Sequence, residues 1–339
     1  MNTRTRNGRH RVATSRWLKV GATVTVTLGL IGSTIASASA DPVEEQPRHS
    51  FAEYQGIPIS IYEYGPSAEE APTIVMTGGW PGTSDIFEAS ARKLASTYHV
   101  VRYDHRGSGE SGHPTDTQSY TLENLAGEYG AVIDKTAPGR PIHNYGIAFG
   151  AWIAAEYQWR HPGRIVSLSS IGAPSADLVH YALADAATDP TVYPQLAFQL
   201  ACIFYFAGYE VPDMPEAFFR TFPVEPVLAE LMKLKGNPPM EWSNADTVSG
   251  VQMYRANTPE RVVRSPRYDY LTVPVMQVFQ SPDDQEGPLM IRGLAQHTNN
   301  LWLTQIQGDH GDFGRTSWPL IRAELDKAIA TTEPGASTN

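Results

Sequence analysis

Five short motifs of this chain contain glycine, and three of them also carry side chains that can hold or transfer a proton. Each follows an apolar run typical of a buried strand: residues 78–82, 104–109, 146–150, 281–288 and 308–314. The fourth motif contains Asp284 and the fifth contains His310. An imidazole that is oriented by a carboxylate is a general base. Taken as an isolated pair, however, Asp284 and His310 are more simply interpreted as surface residues.

Strands and helices alternate around these motifs. Residues 51–64 alternate in hydrophobicity about Gly56, which predicts a β-hairpin. Beyond it, apolar runs such as TIVMT and PIHNY are separated by stretches of helical period such as TLENLAGEYGAVIDK. This alternation predicts an α/β fold with a mostly parallel sheet and helices on both faces. Ligands bind such sheets at the carboxyl ends of the strands, where all five motifs fall.

The alternation stops at Ser175 and resumes after Val263. The intervening segment is helical in character and rich in aromatic residues and proline. We therefore predict a helical cap, residues 176–263, inserted into one α/β core that is formed by residues 41–175 and 264–339.

The first 40 residues have the organisation of a secretory signal peptide. Six basic residues and no acidic ones precede the apolar run VGATVTVTLGLIGSTIA, and Ala38-Ser39-Ala40 is a small-residue cleavage site. No twin-arginine pair precedes the apolar run, so we predict export through the Sec route, cleavage after Ala40 and a secreted protein. The alternative is a retained membrane anchor, but the run is short for a span of about 20 residues.

Charge and cysteine content narrow the class of protein. The leader holds six of the 26 Lys and Arg residues and none of the 36 Asp and Glu residues, which leaves 20 against 36, a net charge of −16, on the remaining chain. Nucleic acid is therefore excluded as a partner, and we expect no stable membrane association once the leader is removed. The single cysteine, Cys202, cannot form an internal disulfide and is interpreted as a core residue. The sequence does not indicate an oligomeric state.

The five motifs, in this order, resemble the α/β-hydrolase superfamily over nearly the whole mature chain. Residues 146–150 resemble its nucleophile elbow, a strained turn from strand to helix. The resemblance implies that Ala148 occupies the nucleophile position, that Asp284 is the acid and His310 the base. Asp284 is preferred to Asp283 because the family places this acid four residues before a proline. Backbone N–H groups of Trp80 and Phe149 would form the oxyanion hole.

One further departure from the family is Gly78, where histidine is common. Four stretches, residues 94–114, 165–175, 204–218 and 250–257, resemble epoxide hydrolases more closely, especially the hydrolase half of certain actinobacterial members. That resemblance implies that Tyr254, and less clearly Tyr205, are the cap tyrosines that donate hydrogen bonds to the opening epoxide oxygen. The alternative for both is a ring packed in the core of the cap, with its hydroxyl at the edge.

Alanine at position 148 excludes the covalent intermediate of epoxide hydrolases and serine esterases. Loss of a nucleophile leaves a residual catalysis of only about 10³- to 10⁴-fold over water. The sequence therefore favours non-hydrolytic acid–base chemistry without a cofactor or metal: conjugate addition, C–C bond formation or cyclisation, elimination, isomerisation, or cofactor-independent oxygenation. We expect a bulky, apolar, natural-product-like substrate in secondary metabolism, such as antibiotic biosynthesis. The alternatives are an epoxide hydrolase or esterase with an inactivating, engineered alanine, and a non-catalytic pseudo-hydrolase that binds a small molecule.

Overall fold

A computed structural model describes residues 46–333, apart from 80–81, 203–204, 223, 235–242, 264–271, 282–287, 297, 299 and 309–311. These residues belong to one structural unit, Glu45–Asn339. The predicted signal peptide, Trp80, Asp284 and His310 lie outside the described residues, and Tyr205 is described for its backbone only.

Eight strands form one sheet in the order β1-β2-β4-β3-β5-β6-β7-β8. The pairs β1·β2 and β2·β4 are antiparallel and all other pairs are parallel, which confirms the predicted mostly parallel sheet. The strands are β1 Arg48–Tyr54, β2 Ile57–Tyr64, β3 Thr73–Thr77, β4 His99–Tyr103, β5 Ile142–Ile147, β6 Ile165–Ile171, β7 Val275–Gln280 and β8 Leu301–Gln305.

Helices cover both faces of the sheet because successive residues of its strands point to opposite sides. In β3, Val75 packs into the core cluster that contains side chains of α2 and α3, whereas Ile74 and Met76 pack with α1 and α11. The helices of this α/β core are α1 Glu88–Leu94, α2 Leu122–Thr136, α3 Phe149–Arg160, α10 Pro288–Arg292 and α11 Trp318–Thr332.

The chain between β6 and β7 forms the region predicted as the cap, and its described residues form helices without strands. The boundaries of the cap, 176 and 263, stay a prediction. Within the described part of the chain, no helix combines the length and the hydrophobicity needed to cross a membrane. The helices of this region are α4 Val179–Thr188, α5 Tyr193–Cys202, α6 Tyr205–Tyr209, α7 Met214–Thr221, α8 Glu225–Leu234 and α9 Asn244–Val263.

The order of the strands places a crevice at the carboxyl ends of β3 and β5. From β3 the chain moves to β4 on one side, and it then returns to β5 on the other side of β3. Where the strand order reverses in this way, the loops diverge and leave a ligand-binding crevice. The last residue of β3, Thr77, pairs with Gly146 of β5. The motifs after these two strands therefore meet at this point.

One buried histidine of the core makes stability depend on pH. His143 contacts Ser167 Oγ at 2.8 Å and Glu333 Oε1 at 3.3 Å. Burial lowers its pKa from the usual 6.5, and Glu333 opposes this only in part. As the pH falls below 6.5, the unfolded chain therefore binds this proton before the folded chain does. The contribution of His143 to the free energy of unfolding is fully present above pH 6.5 and is lost as the pH falls through the lowered pKa.

We expect His143→Gln to flatten the pH dependence of the free energy of unfolding below pH 6.5, because the variant has no imidazole to protonate. Urea unfolding between about pH 5 and 8 measures this. His161→Gln is the matched control, since His161 is exposed. A variant at position 143 with the slope of the wild type would contradict the assignment.

Candidate active site

Ala148 lies at the end of β5 with the backbone angles φ 50° and ψ −127°. A residue other than glycine in such a conformation stores about 1–3 kcal/mol of strain, so its surroundings must hold it in place. Its N–H donates to Ile171 O at 3.2 Å, and Ala151 N–H donates to Ala148 O at 2.9 Å as α3 begins. The turn therefore has the strained geometry of a nucleophile elbow, with a methyl group at its apex.

The two glycines of the elbow are required by close backbone approach. A methyl group at Gly150 would lie 2.2 Å from Thr77 O and 2.4 Å from Gly78 O. A methyl group at Gly146 would lie 2.8 Å from Thr77 Oγ1 and 2.9 Å from Ala151 Cα. Any larger residue would push α3 away from β3. The spacing of the motif thus reflects packing of the elbow against the neighbouring strand.

The strain at Ala148 predicts an unusual response to glycine. Ala148→Gly and Ala151→Gly each remove a buried methyl group and add the same freedom to the unfolded chain, but only the first relieves a positive φ. We expect Ala148→Gly to be less destabilising than Ala151→Gly by about 1–3 kcal/mol. Thermal or urea unfolding of the two variants measures the difference. Equal losses would mean that the turn is unstrained.

The loop after β3 runs directly beside the elbow. A methyl group placed on Gly79 would lie 3.2 Å from Ala148 Cβ and 3.3 Å from Phe149 N. The backbone of this loop and the first N–H of α3 therefore face the same small volume. The oxyanion hole at Trp80 and Phe149 stays a prediction, since Trp80 lies outside the described residues.

A buried ion cluster of His105, Arg106 and Glu128 contacts this loop at the carbonyl oxygen of Gly78. Glu128 of α2 is fully buried, and its Oε2 accepts a hydrogen bond from Arg106 Nε at 2.6 Å. Its Oε1 lies 3.2 Å from His105 Nδ1. The other ring nitrogen of His105, Nε2, lies 2.9 Å from the carbonyl oxygen of Gly78. Our sequence reasoning missed this cluster.

A signal for the cluster is nevertheless present in the sequence. Residues 125, 128, 129, 132 and 133 recur at helical spacing and share one face of α2. Four are apolar, and the fifth, Glu128, is a carboxylate on the buried side. A buried carboxylate requires a cationic or hydrogen-bonding partner, which the second motif supplies.

Burial governs the ionisation of several groups at this edge of the sheet. Burial raises the pKa of Asp104, although its carboxylate accepts hydrogen bonds from Ser84 N at 2.8 Å and Glu110 N at 3.4 Å. Burial also raises the pKa of Tyr145, which precedes the elbow, and that of Tyr103. Both phenols therefore stay protonated at neutral pH and serve as core residues.

Tyr254 of α9 lies next to the elbow. It is 4% exposed, and its ring packs edge-on against Phe149 with 5.3 Å between the centroids. Tyr209 of α6 packs against it at 5.7 Å. The structure thus brings Tyr254 to the residue that follows Ala148, while its role as a hydrogen-bond donor to a substrate stays a prediction. Tyr205 belongs to α6, and its side chain is not described.

Two polar residues of α9 anchor this helix to the α/β core. Asn257 Oδ1 accepts from Leu122 N at 2.7 Å, and its Nδ2 donates to Tyr120 O at 2.9 Å. Asp246, near the start of α9, accepts from Gly109 N at 2.9 Å. Sequence reasoning missed both residues. The available signal was an asparagine within an otherwise helical run, one turn beyond Tyr254.

A glycine elbow at the switch point of a mostly parallel eight-stranded sheet, with helices inserted between β6 and β7, defines a class of protein. That class is the α/β-hydrolase fold: the model of the α/β-hydrolase fold family matches residues 72–201 of this chain. The chain is 27% identical over 297 residues to the probable oxidoreductase EphD of Mycobacterium tuberculosis. The matched region covers 83% of this chain and 49% of the relative. The chain thus spans about half the length of such curated relatives.

Solved structures give the same fold. The epoxide hydrolase of Bacillus megaterium is 15% identical with a TM-score of 0.63, over 83% of this chain and 99% of that one. The epoxide hydrolase VrEH1 of Vigna radiata is 16% identical with a TM-score of 0.62, over 84% and 98%. The predicted fold class and the predicted resemblance to epoxide-hydrolase-like proteins are thereby confirmed.

Proposed function

We propose that this protein is a non-hydrolytic enzyme that performs acid–base chemistry on a bulky apolar substrate. The observation that carries the proposal is Ala148. Its backbone keeps the strained conformation of an elbow, yet a methyl group cannot attack a substrate. A strained turn that carries no nucleophile is explained if the turn positions a substrate and does not react with it.

The elbow supplies electrostatic stabilisation without a nucleophile. It places Phe149 N–H at the start of α3, where the helix dipole favours negative charge. A substrate oxygen bound there is polarised, and developing negative charge on it is stabilised. Tyr254 adds a phenol to the same region in this proposal. The rings of Phe149, Tyr209 and Tyr254 pack together, so the surroundings of this N–H are apolar.

His310, oriented by Asp284, is the base of the proposed reaction. It takes a proton from a carbon or hydroxyl acid of the bound substrate, and the electron pair left behind is delocalised onto the stabilised oxygen. The resulting anion then adds to an acceptor, closes a ring or is reprotonated elsewhere. No bond to the enzyme forms, so Ala148 is no obstacle. We further propose that the enzyme is exported and acts in secondary metabolism.

The test compares wild type with Ala148→Ser and Ala148→Asp. Conversion of a panel of polycyclic phenols and enones is followed by mass spectrometry, and hydrolysis is assayed with an activated ester and an aryl epoxide. We expect wild type to convert a panel member without hydrolysing either probe. Each variant should gain only trace hydrolysis and lose native turnover, because a longer side chain occupies space beside the substrate. In Ala148→Asp the introduced carboxylate also adds negative charge near the base.

Ala151→Ser is the matched control, since it adds a hydroxyl to a buried alanine three residues away on α3. It should neither hydrolyse the probes nor reduce native turnover beyond a small packing effect. If wild type converts nothing while one substitution at position 148 gives ordinary hydrolase rates, the proposal is wrong and the chain is an inactivated hydrolase. If wild type binds panel members tightly without converting them, it is a binding protein.

A further inference from the structure

The carbonyl group of Gly78 is held between the elbow and His105. On one side, Gly150 approaches so closely that a methyl group there would lie 2.4 Å from Gly78 O. On the other side, His105 Nε2 lies 2.9 Å from the same oxygen. This single carbonyl therefore fixes the distance between the loop after β3 and the start of α3.

Both ring nitrogens of His105 face hydrogen-bond acceptors. Nε2 faces a backbone carbonyl oxygen, and Nδ1 faces Glu128 Oε1 at 3.2 Å. A neutral imidazole carries one N–H, so it can satisfy only one of these acceptors. An acceptor–acceptor contact in a site shielded from water is costly. Hydrogens on both ring nitrogens satisfy both contacts.

Within the trio of His105, Arg106 and Glu128, two cations then share one carboxylate. Glu128 offsets Arg106, to which it is bonded at 2.6 Å, and the protonated ring adds a second cation. The ring of Tyr103 also packs against the imidazole in an edge-to-face arrangement, with 4.8 Å between the centroids. A buried charge that is not fully balanced lowers the energy of negative charge nearby.

We propose that His105 is a positioning residue: a doubly protonated ring that holds the Gly78 carbonyl, fixes Gly79 against Ala148 and places positive charge behind the predicted oxyanion hole. It supplies an imidazole to a turn where the family commonly has histidine at position 78. A cationic donor on a peptide carbonyl also strengthens the N–H of that peptide as a donor, here the N–H of Gly79. The benefit to catalysis rests on the proposed function, in which a substrate oxygen becomes negative beside the elbow.

The chain offers a selective probe of this contact, because residues 78 and 79 are its only Gly–Gly pair. In protein labelled with carbonyl-¹³C, ¹⁵N-glycine, a carbonyl-to-amide correlation spectrum therefore contains one cross-peak, which reports Gly78 C=O and Gly79 N–H. We expect His105→Phe to move the carbonyl resonance upfield and the amide resonance toward weaker hydrogen bonding. His105→Gln, which keeps a neutral hydrogen-bond donor, should move both resonances of the cross-peak less than His105→Phe does.

His113→Phe is the control, because His113 is exposed, and it should leave the cross-peak in place. An unmoved cross-peak in a folded His105→Phe protein overturns the proposal. If that variant does not fold, His105→Gln carries the same test, since a cross-peak identical to that of wild type overturns the requirement for a cationic donor.

The protonation of the ring is measured in wild type labelled with ¹⁵N-histidine, with the His105 signals identified by their loss in His105→Gln. We expect two protonated ring nitrogens at neutral pH, and a single bare nitrogen would overturn the proposal. Neither spectrum requires a substrate. A failed search for turnover would therefore count against the proposed function alone, whereas a missing contact or a neutral ring would count against His105.

Discussion

Replacing His310 by alanine is expected to lower kcat by about 10²- to 10⁴-fold, the contribution of a general base, while ligand affinity changes only within a few fold. The reason is that the imidazole acts on a proton during the reaction and contributes little to holding the apolar body of the ligand. The measurement pairs steady-state turnover of the substrate found for wild type with direct binding of the same compound.

His113→Ala is the control for His310→Ala, since it removes an exposed imidazole. Asp284→Asn should cost less than His310→Ala, because the carboxylate orients the base and stabilises its charged form without accepting the proton itself. A joint loss of binding and turnover in a folded His310→Ala protein would show a ligand contact instead of a base. Unchanged turnover would remove His310 from the mechanism.

Replacing Glu128 by leucine is expected to destabilise the protein by about 3–5 kcal/mol, because it leaves the buried guanidinium of Arg106 without its carboxylate. Urea unfolding measures the loss. Glu123→Leu is the matched control on the same helix: Glu123 is 66% exposed and pairs with Arg160 at 3.2 Å. An exposed pair of this kind contributes about 0–1 kcal/mol.

A double-mutant cycle separates the charge pair from general packing. Arg106→Met combined with Glu128→Leu removes both charges together, so the double variant should be more stable than Glu128→Leu alone. If Glu128→Leu cost no more than Glu123→Leu, the cluster beneath the loop would be solvated in solution, and its role in holding His105 would fail with it.

Much of the α/β core was predictable because local signals determine its elements. Alternation of apolar residues marked the hairpin of β1 and β2, and short apolar runs marked β3 and β5. The order of the strands was not predictable in the same way. The antiparallel contact of β2 with β4 joins segments far apart in sequence, and no local periodicity encodes which edge of a sheet a strand occupies.

The site shows the same division between local and long-range information. A tight turn at Ala148 could be predicted because Gly146 and Gly150 lie only four residues apart, and backbone packing requires both of them. Helical spacing places Glu128 on the buried face of α2, but it does not identify His105 and Arg106 as its partners, because they lie on another element. The role of Asn257 was not predicted for the same reason. Its hydrogen-bond partners, Tyr120 and Leu122, lie well over a hundred residues earlier in the chain.

The anchoring of α9 has a consequence for how this protein can evolve. Asp246 and Asn257 bond this helix to backbone groups of the core. The position of Tyr254 relative to the elbow therefore cannot change without loss of these bonds. None of those bonds involves a side chain of α4 to α8, and apolar side chains of these helices, such as Phe198 and Phe218, are exposed. New substrate preferences should therefore arise in these helices, and libraries aimed at altered selectivity should be confined to them.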